Sequence, residues 1–214
     1  MSKPYRESDL SDQLAQDLNW RIKEISDLKS AIERADRILQ KVLLRALATI
    51  CYAHWEGYVR FAARKYMDFI ALRKLQYGEL DRQFLRNYFM PRLAAVATNT
   101  SISERCALVD DILDATGKRF SRVNADLINT GGNLKFAVFS DICLVCGISR
   151  DLFSDSEIFI DHFLVQRRNS IAHGEDTFVD VADLDKMAAE TIALMRSFGN
   201  ELENIIYTKA FKVA

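Results

Sequence analysis

Residues 42–69, VLLRALATICYAHWEGYVRFAARKYMDF, are the stretch that decides the fold. Their apolar side chains recur at steps of three and four residues, which places them on one face of an α-helix. An earlier run repeats this spacing through Leu10, Leu14, Leu18, Ile22, Ile25, Leu28, Ile32 and Leu39. The two runs predict two long helices that lie antiparallel and bury their apolar faces.

The boundary between these helices lies between Lys29 and Gln40, although no Gly or Pro marks it. A single helix of about 60 residues would be about 90 Å long, which exceeds the size of a domain of this length. Asp36 is the candidate cap of the second helix, and Ser8 or Ser11 is the candidate cap of the first.

Capping and turn residues predict the boundaries of the shorter helices that follow. Pro91 should end a helix around residues 81–89 of the segment 72–99. Ser101 with Glu104 should open a helix that Gly117 ends, and Asn133, after the loop 129–133, should cap a helix that Gly147 ends. Ser154 with Glu157 should open the next helix, and Asp183 should cap the last one.

These elements predict an all-α fold, a bundle of about six to eight helices with long antiparallel members. One domain is expected to span residues 1–214. Strand patterns are almost absent, since the short alternation at residues 177–181 lies between two helices and predicts a linker. The eight glycines and two prolines are too few for a fold rich in turns.

Charge restricts the functions that the chain can perform. The net charge is −1, so no overall positive field attracts nucleic acid, and any such binding needs a local patch. We interpret the two local clusters of basic residues as solvated helix faces. They are Arg60, Arg64, Lys65, Arg73 and Lys74, and Lys118, Arg119 and Arg122.

The sequence carries no sign of export or membrane insertion. Residues 1–12, MSKPYRESDLSD, are polar, and no stretch reaches the ~18 uninterrupted apolar residues of a membrane span. The four cysteines lack the spacing of a secreted scaffold, and Cys143 and Cys146 are expected to be buried in an apolar helix. We therefore expect a cytoplasmic protein with no membrane contact.

Residues 167–174, RRNSIAHG, combine the groups that cleavage of RNA requires. An arginine fork can hold two phosphate oxygens and stabilise charge in the transition state. A histidine can take the proton of a 2′-hydroxyl or give one to the leaving 5′-oxygen. Because the 2′-hydroxyl is the nucleophile, such a site needs no metal and spares DNA.

A regular helix over residues 154–173 separates these groups by about 100° per residue. His162, Asn169 and His173 then share one polar side within about 40°, and Arg168 lies about 140° from His173. Two explanations of this separation stay open. Either the long arginine side chain reaches around the helix, or the arginine and the histidine complete sites across a dimer interface.

Arg168, Asn169 and His173 resemble the Arg-x4–6-His motif of the HEPN superfamily. Residues 52–58, YAHWEGY, look like a run found in one HEPN branch, the MAE-like HEPN proteins of prokaryotic conflict systems. Residues 20–25, the loop at 130–134 and residues 146–148 are also similar to that branch.

The resemblance implies a HEPN-like fold and a metal-independent endoribonuclease that acts as a toxin or an antiviral defence effector. It implies a homodimer whose two motifs face each other in one cleft, with RNA as substrate and no cofactor. An antitoxin or another defence-system protein is a candidate partner. By the same resemblance, Arg168 holds the phosphate, His173 performs acid–base chemistry and Asn169 supports them.

Four further residues are candidates for supporting roles. His162 shares the polar side of the helix with His173. Arg167 also falls within the spacing of the motif, but on the side that faces the core, so Arg168 is preferred. Glu56 and His54 are candidates for the rim of an RNA cleft, with a hydrogen-bonded packing role as the alternative for His54.

Two other functions stay open at this point. One is a catalytically inactive HEPN-fold module that binds a nucleotide or a partner protein through the same residues. The other is a helical scaffold in which His173 is buried and Arg168 pairs with Asp161 on the surface.

Overall fold

The computed structural model describes residues 5–98 and 101–213; Pro4, one of the two prolines, and Asn99, the last residue of the segment 72–99, lie outside them. Within the described residues the chain is helical and forms no strand, which confirms the all-α prediction. The α-helices are α1 Glu7–Arg34, α2 Arg37–Ala71, α3 Arg82–Thr98, α4 Ile102–Leu113, α5 Phe136–Val145, α6 Arg167–Ala172 and α7 Leu184–Thr208. A π-helical segment, Phe159–Gln166, leads directly into α6, and short 3-10 turns connect several of the helices.

Helices α1, α2 and α7 pack against one another and form the centre of the bundle. A connection of two residues reverses the chain between α1 and α2, so these helices are antiparallel, as predicted. Asp36 caps α2, because its carboxylate accepts hydrogen bonds of 2.9 Å from the backbone N–H groups of Ile38 and Leu39. The predicted break and its cap are both confirmed.

Close packing at two glycines brings the central helices together. A Cβ at Gly199 of α7 would lie 2.2 Å from the hydroxyl oxygen of Tyr58 on α2. A Cβ at Gly57 of α2 would lie 2.6 Å from a guanidinium nitrogen of Arg21 on α1. Both contacts require a residue without a side chain, so these glycines set the spacing of the core helices.

Helix α3 passes through Pro91 and ends at Thr98, so the prediction that Pro91 ends it is wrong. Proline removes one backbone hydrogen bond but does not forbid helix on both sides of it. Contacts with α4 stabilise the turns around and after Pro91, since Phe89 packs on Leu108 and Arg92 forms an ion pair of 2.5 Å with Asp111.

Some capping predictions are confirmed and others are wrong. The hydroxyl of Ser101 accepts from the N–H of Glu104 and caps α4, which ends at Leu113 rather than at Gly117. Gly147 follows α5 with a φ of +78°, as predicted. Ser8 and Ser11 lie inside α1, which begins at Glu7.

The segment before the arginines begins differently from the prediction. Ser154 does not cap a helix; its hydroxyl donates to the carbonyl of Asp151 inside a 3-10 turn, Arg150–Ser156. Asn133 does not cap α5, because the N–H of Phe136 donates to Asp161 at 2.7 Å instead. At α5 a distant side chain therefore replaces the local cap.

In the described part of the chain, no helix is both long and apolar enough to cross a membrane.

Candidate active site

The π-helical segment changes the register of the Arg-His motif. Its hydrogen bonds join residues five apart, so each turn is wider than in an α-helix. The prediction that His162 shares one polar side with Asn169 and His173 is therefore wrong; Asn169 and His173 themselves are one α-helical turn apart, as predicted. His162 bonds to Gln166 at 2.8 Å and lines a cavity of about 270 Å³, whereas Asn169 lies against the loop before α5.

Arg168 crosses from α6 to the surface of α2. Its guanidinium carbon lies 4.0 Å from the ring centroid of Tyr52, and Nη2 donates to the carbonyl oxygen of Gly132. A cation over an aromatic face is attracted by about 0.5–2 kcal/mol, depending on its exposure. The buried Nε of Arg168 has no hydrogen-bond partner among the described residues. Arg168 is thus fixed in position while part of its donor capacity is unused.

The loop Thr130–Asn133 joins the motif to α2. Gly131 and Gly132 have φ values of +60° and +69°, a left-handed conformation that glycine adopts without strain. The Thr130 hydroxyl donates to the carboxylate of Glu56, and the Asn169 amide lies 3.4 Å from the side-chain oxygen of Asn133. Both ends of the loop are therefore tied, one to α2 and one to α6.

Tyr52 is the residue around which this site is built. It is buried, and its hydroxyl accepts a hydrogen bond of 2.8 Å from the N–H of Leu134, just after the loop. Burial raises the pKa of the Tyr52 hydroxyl, so it stays neutral at ordinary pH. One face of the ring carries Arg168, and the hydroxyl holds the loop that also binds Arg168.

His173 stands at the end of α6 with an exposed side chain. Gly174 adopts a φ of +80°, and the N–H of Glu175 reaches back to the carbonyl of Ser170 at 2.9 Å. This is a Schellman ending, which stops the helix immediately after the histidine. Among the described residues no hydrogen bond or ion pair engages the imidazole, so it is available to a ligand.

Within the described residues of one chain, no hydrogen bond joins Arg168 to His173. The scaffold alternative fails on both of its expectations, because His173 is exposed and Asp161 binds the N–H of Phe136 rather than Arg168. The alternative in which the arginine reaches around the helix also finds no support, since Arg168 extends toward Tyr52.

Arg167 has a different role from Arg168. Its Nη2 lies 2.5 Å from Asp183 at the start of α7, and its guanidinium lies 4.4 Å from the ring centroid of Phe163. Asp183 occupies the predicted cap position of α7, but its carboxylate bonds to Arg167 instead of to the helix. Arg167 therefore anchors α6 to α7, in agreement with its predicted position on the inner side.

His54 lies on the opposite side of α2 from Tyr52 and is 4% exposed. Its Nε2 is 2.9 Å from a carboxylate oxygen of Glu24, and its Nδ1 is 3.5 Å from a nitrogen of Arg21, which Asp17 holds at 2.7 Å. A guanidinium only donates, so Nδ1 must accept and Nε2 must carry the proton. Burial lowers the pKa of His54, against the opposing effect of Glu24.

The structure therefore divides the seven residues singled out in the sequence. Arg168 and Asn169 meet Glu56 through the loop Thr130–Asn133, and His173 stands exposed nearby in sequence. The remaining three lie elsewhere: they are His54, His162 and Arg167. Tyr52 and the loop residues were the missed members of the site, and the polar, glycine-rich sequence NTGGN was the signal that could have found the loop.

The family model described as RiboL-PSP-HEPN matches residues 16–204, nearly the whole chain. The chain belongs to this HEPN family. The match confirms the superfamily that the motif and the run at 52–58 predicted. No curated protein and no solved structure matches this HEPN chain significantly.

Proposed function

We propose that this HEPN chain is an endoribonuclease that cuts RNA through its own 2′-hydroxyl, without a metal. The observation that carries the proposal is the placement of the motif. Arg168 is held by Tyr52 and the Gly132 carbonyl, and the helix that carries it ends by exposing His173. A fixed cation beside an unpaired imidazole suits a phosphodiester substrate.

The proposed reaction is an internal transfer of the phosphoryl group. The 2′-oxygen attacks phosphorus, its proton leaves to a base, and the bond from phosphorus to the 5′-oxygen breaks. The products are a 2′,3′-cyclic phosphate and a 5′-hydroxyl. His173 serves as the base or as the acid that protonates the leaving oxygen, which contributes about 10²–10⁴ in rate. Arg168 stabilises the charge on the phosphate oxygens, and Asn169 supports it.

A homodimer completes the proposed site. In one chain no hydrogen bond joins Arg168 to His173. A two-fold axis near the end of α6 would bring Arg168 of each protomer to His173 of the other and so form two Arg-His pairs in one cleft. The exposure of His173 supports this arrangement, because a group at an interface is open in the isolated chain.

In the cell we propose that the enzyme is a toxin or antiviral defence effector of the MAE-like branch, located in the cytoplasm. An antitoxin or another defence-system protein would restrain it. The run at 52–58 supports this assignment, since it contributes Tyr52 and Glu56 to the proposed site.

The test is cleavage of single-stranded RNA by the purified protein in EDTA, with analysis of the product ends. Arg168→Ala and His173→Ala should each lose at least about a hundredfold in rate, as removal of an acid–base or charge-stabilising group does. Arg196→Ala is the matched control, because Arg196 is an exposed arginine of α7. Full activity in both motif variants would overturn the proposal, as would a strict need for added metal.

A mixing experiment tests the shared site. If Arg168 of one protomer works with His173 of the other, a mixture of the two inactive variants forms mixed dimers with one intact pair. After exchange of subunits, about a quarter of the wild-type activity should return, because half of the dimers are mixed and each has one site. No recovery, in a mixture shown to exchange subunits, contradicts a site divided in this way.

A catalytically inactive nucleotide-binding module is the second candidate. The observation that favours it is that Arg168 already donates a hydrogen bond to the Gly132 carbonyl and lies over the Tyr52 ring within the chain. The net charge of −1 also gives the protein no general attraction for RNA. This candidate predicts nucleotide binding that Arg168→Ala weakens, with no product after long incubation.

A further inference from the structure

Two basic segments that are far apart in the sequence lie side by side in the fold. One segment is the end of α2 with the turn that follows it, and the other is residues 118–122. Arg119 donates a hydrogen bond of 2.9 Å to the carbonyl of Lys74, and the N–H of Phe120 donates to the carbonyl of Leu75 at 2.9 Å. The interpretation of both segments as separate solvated faces is therefore incomplete.

Two adjoining cavities open along this contact. One, of about 620 Å³, is lined by residues that include Lys65 and Arg122. The other, of about 450 Å³, is lined by residues that include Arg119, Arg122 and Tyr88. They share residues 121–123, so we treat them as one feature, the basic groove, defined by Lys65, Arg119, Arg122 and Tyr88. Asp68 is the one acidic residue among those that line the two cavities.

Two other large cavities in the described part of the chain have the opposite charge. A cavity of about 560 Å³ is lined by Asp155, Glu190 and Glu201 among others, and no Lys or Arg lines it. A cavity of about 430 Å³ has Glu7 and Glu203 in its lining and again no basic residue. A polyanion is repelled from these two and attracted to the basic groove.

Two segments of the chain connect the basic groove to the proposed active site. Residues 119–124 and 127 line the groove, and the same stretch of chain continues into the loop Thr130–Asn133 that holds Arg168. Helix α2 makes the same connection, since Met67 lines the second cavity and lies on the same side of the helix as Glu56, about 17 Å along it.

We propose that the basic groove binds the phosphates of the single-stranded RNA that extends from the cleavage site. This inference rests on the proposed function. Lys65 and Arg122 form no ion pair among the described residues, so their charges are available to phosphates. Tyr88 is 39% exposed and offers a ring on which an unstacked base can lie. The groove supplies the local patch that a chain with a net charge of −1 needs.

The experiment measures binding of a fluorescent single-stranded RNA that is 2′-O-methylated throughout, because this RNA lacks the nucleophile and cannot be cut. Fluorescence anisotropy is recorded over a range of salt concentrations. Lys65→Ala/Arg122→Ala is compared with wild type and with Lys41→Ala/Arg196→Ala, which removes two exposed cations elsewhere. Lys65→Gln/Arg122→Gln serves as a second version, because glutamine keeps the length and polarity of the side chains.

Both groove variants should bind the RNA about tenfold more weakly than wild type at low salt. The slope of log affinity against log salt should fall by about 1.4, since each phosphate contact on a single strand contributes about 0.7. The control variant should match wild type. Equal affinity and slope in groove and control variants overturn the inference, as does a wild-type protein that binds no RNA.

Two outcomes separate this inference from the proposed function. Wild-type binding that depends on the groove, together with no cleavage of unmodified RNA, overturns the nuclease and keeps the groove. Cleavage that depends on Arg168, together with unaltered binding in the groove variants, keeps the nuclease and overturns the groove. A poly-glutamate peptide that binds the groove as tightly as the RNA would overturn RNA as its ligand and indicate an acidic protein instead.

Discussion

Two polar clusters lie on opposite sides of α2, and one short run of sequence supplies both. The first, which we term the closed cluster, joins His54 to Asp17, Arg21 and Glu24 on the α1 side. The second, the open cluster, joins Tyr52 and Glu56 to the loop at 130–133 and to Arg168. Residues 52 and 54 are about 200° apart around the helix, so neighbouring positions serve different clusters.

The two clusters differ in how exposed their groups are. In the closed cluster His54 is 4% exposed, its Nε2 lies 2.9 Å from Glu24 and Asp17 holds Arg21 by two contacts, so a ligand cannot reach the imidazole. Beside the open cluster His173 is exposed and has no partner in the described chain. Exposure, rather than residue type, distinguishes the structural histidine from the candidate catalytic one.

The largest expected effect separates the two histidines. His173→Ala should lower the rate of RNA cleavage by about 10²–10⁴, and should change the free energy of unfolding by less than about 0.5 kcal/mol because the side chain is exposed. His54→Gln should leave the rate within a few-fold of wild type. Turnover and denaturant unfolding of both variants provide the measurement, and a large rate loss in His54→Gln alone would reverse our assignment.

Breaking the closed cluster should reduce stability. Arg21→Ala takes from Asp17, whose side chain is 14% exposed, its main partner and leaves only Trp20 Nε1, which costs about 1–3 kcal/mol. Lys23→Ala is the control on the same helix, because Lys23 forms an exposed pair with Asp27 and such pairs contribute about 0.2–1 kcal/mol. Urea unfolding of both variants is the measurement. Similar losses in the two would contradict a buried structural role for Arg21.

Removing one hydroxyl should loosen the open cluster. Tyr52→Phe keeps the ring under Arg168 but leaves the N–H of Leu134 without its acceptor, at a cost of about 1–3 kcal/mol. Tyr66→Phe is the matched control, since the buried hydroxyl of Tyr66 has no partner among the described residues. Hydrogen exchange at residues 130–134 should become faster in Tyr52→Phe alone. Unchanged exchange there would show that the hydroxyl does not hold the loop.

The smallest expected effect is a dependence of stability on pH. Burial places the pKa of folded His54 below 6.5, its ordinary value, so an unfolded chain takes up a proton that the folded chain does not. The contribution is complete above pH 6.5 and is lost as pH falls from there toward the folded pKa. The unfolding free energy should decrease by at most about 1.4 kcal/mol per pH unit from this group.

The control for this pH effect is His54→Gln, because its amide can donate to Glu24 and accept from Arg21 without titrating. Unfolding in urea at about pH 7.5 and about pH 5.5 should show a smaller difference for the variant than for wild type. A variant that loses as much stability as wild type on acidification would assign the dependence to other groups.

Local signals in the sequence predicted several helix boundaries well. The break before Asp36 and the ending at Gly147 depend on residues within a few positions of each other, and both are confirmed. Two of the errors, at Asn133 and Asp183, have a different cause. Asp183 was expected to cap its own helix and instead bonds to Arg167, sixteen residues earlier, because an ion pair with a distant partner can replace a local cap.

The candidate site was predictable only in part for the same reason. Arg168, Asn169 and Glu56 were singled out, but the contacts that join them pass through a loop that no spacing rule connects to either helix. The separation of Arg168 from His173 was foreseen, since α6 is regular α-helix between them, whereas His162 was misplaced because the π-helical segment lies between it and the arginines. Apolar periodicity does not reveal a π-helical turn, because the residues that face the core still recur regularly.

The π-helical segment has a consequence for comparisons within the family. A π turn is equivalent to one residue inserted into an α-helix. Deleting one residue between 159 and 166 would restore ordinary helix and rotate everything after it by about 100°. Arg168 would then no longer lie over the ring of Tyr52 and would contact different residues. A gap of one residue in an alignment at this point would therefore mark relatives whose motif has a different set of neighbours, despite an identical motif sequence.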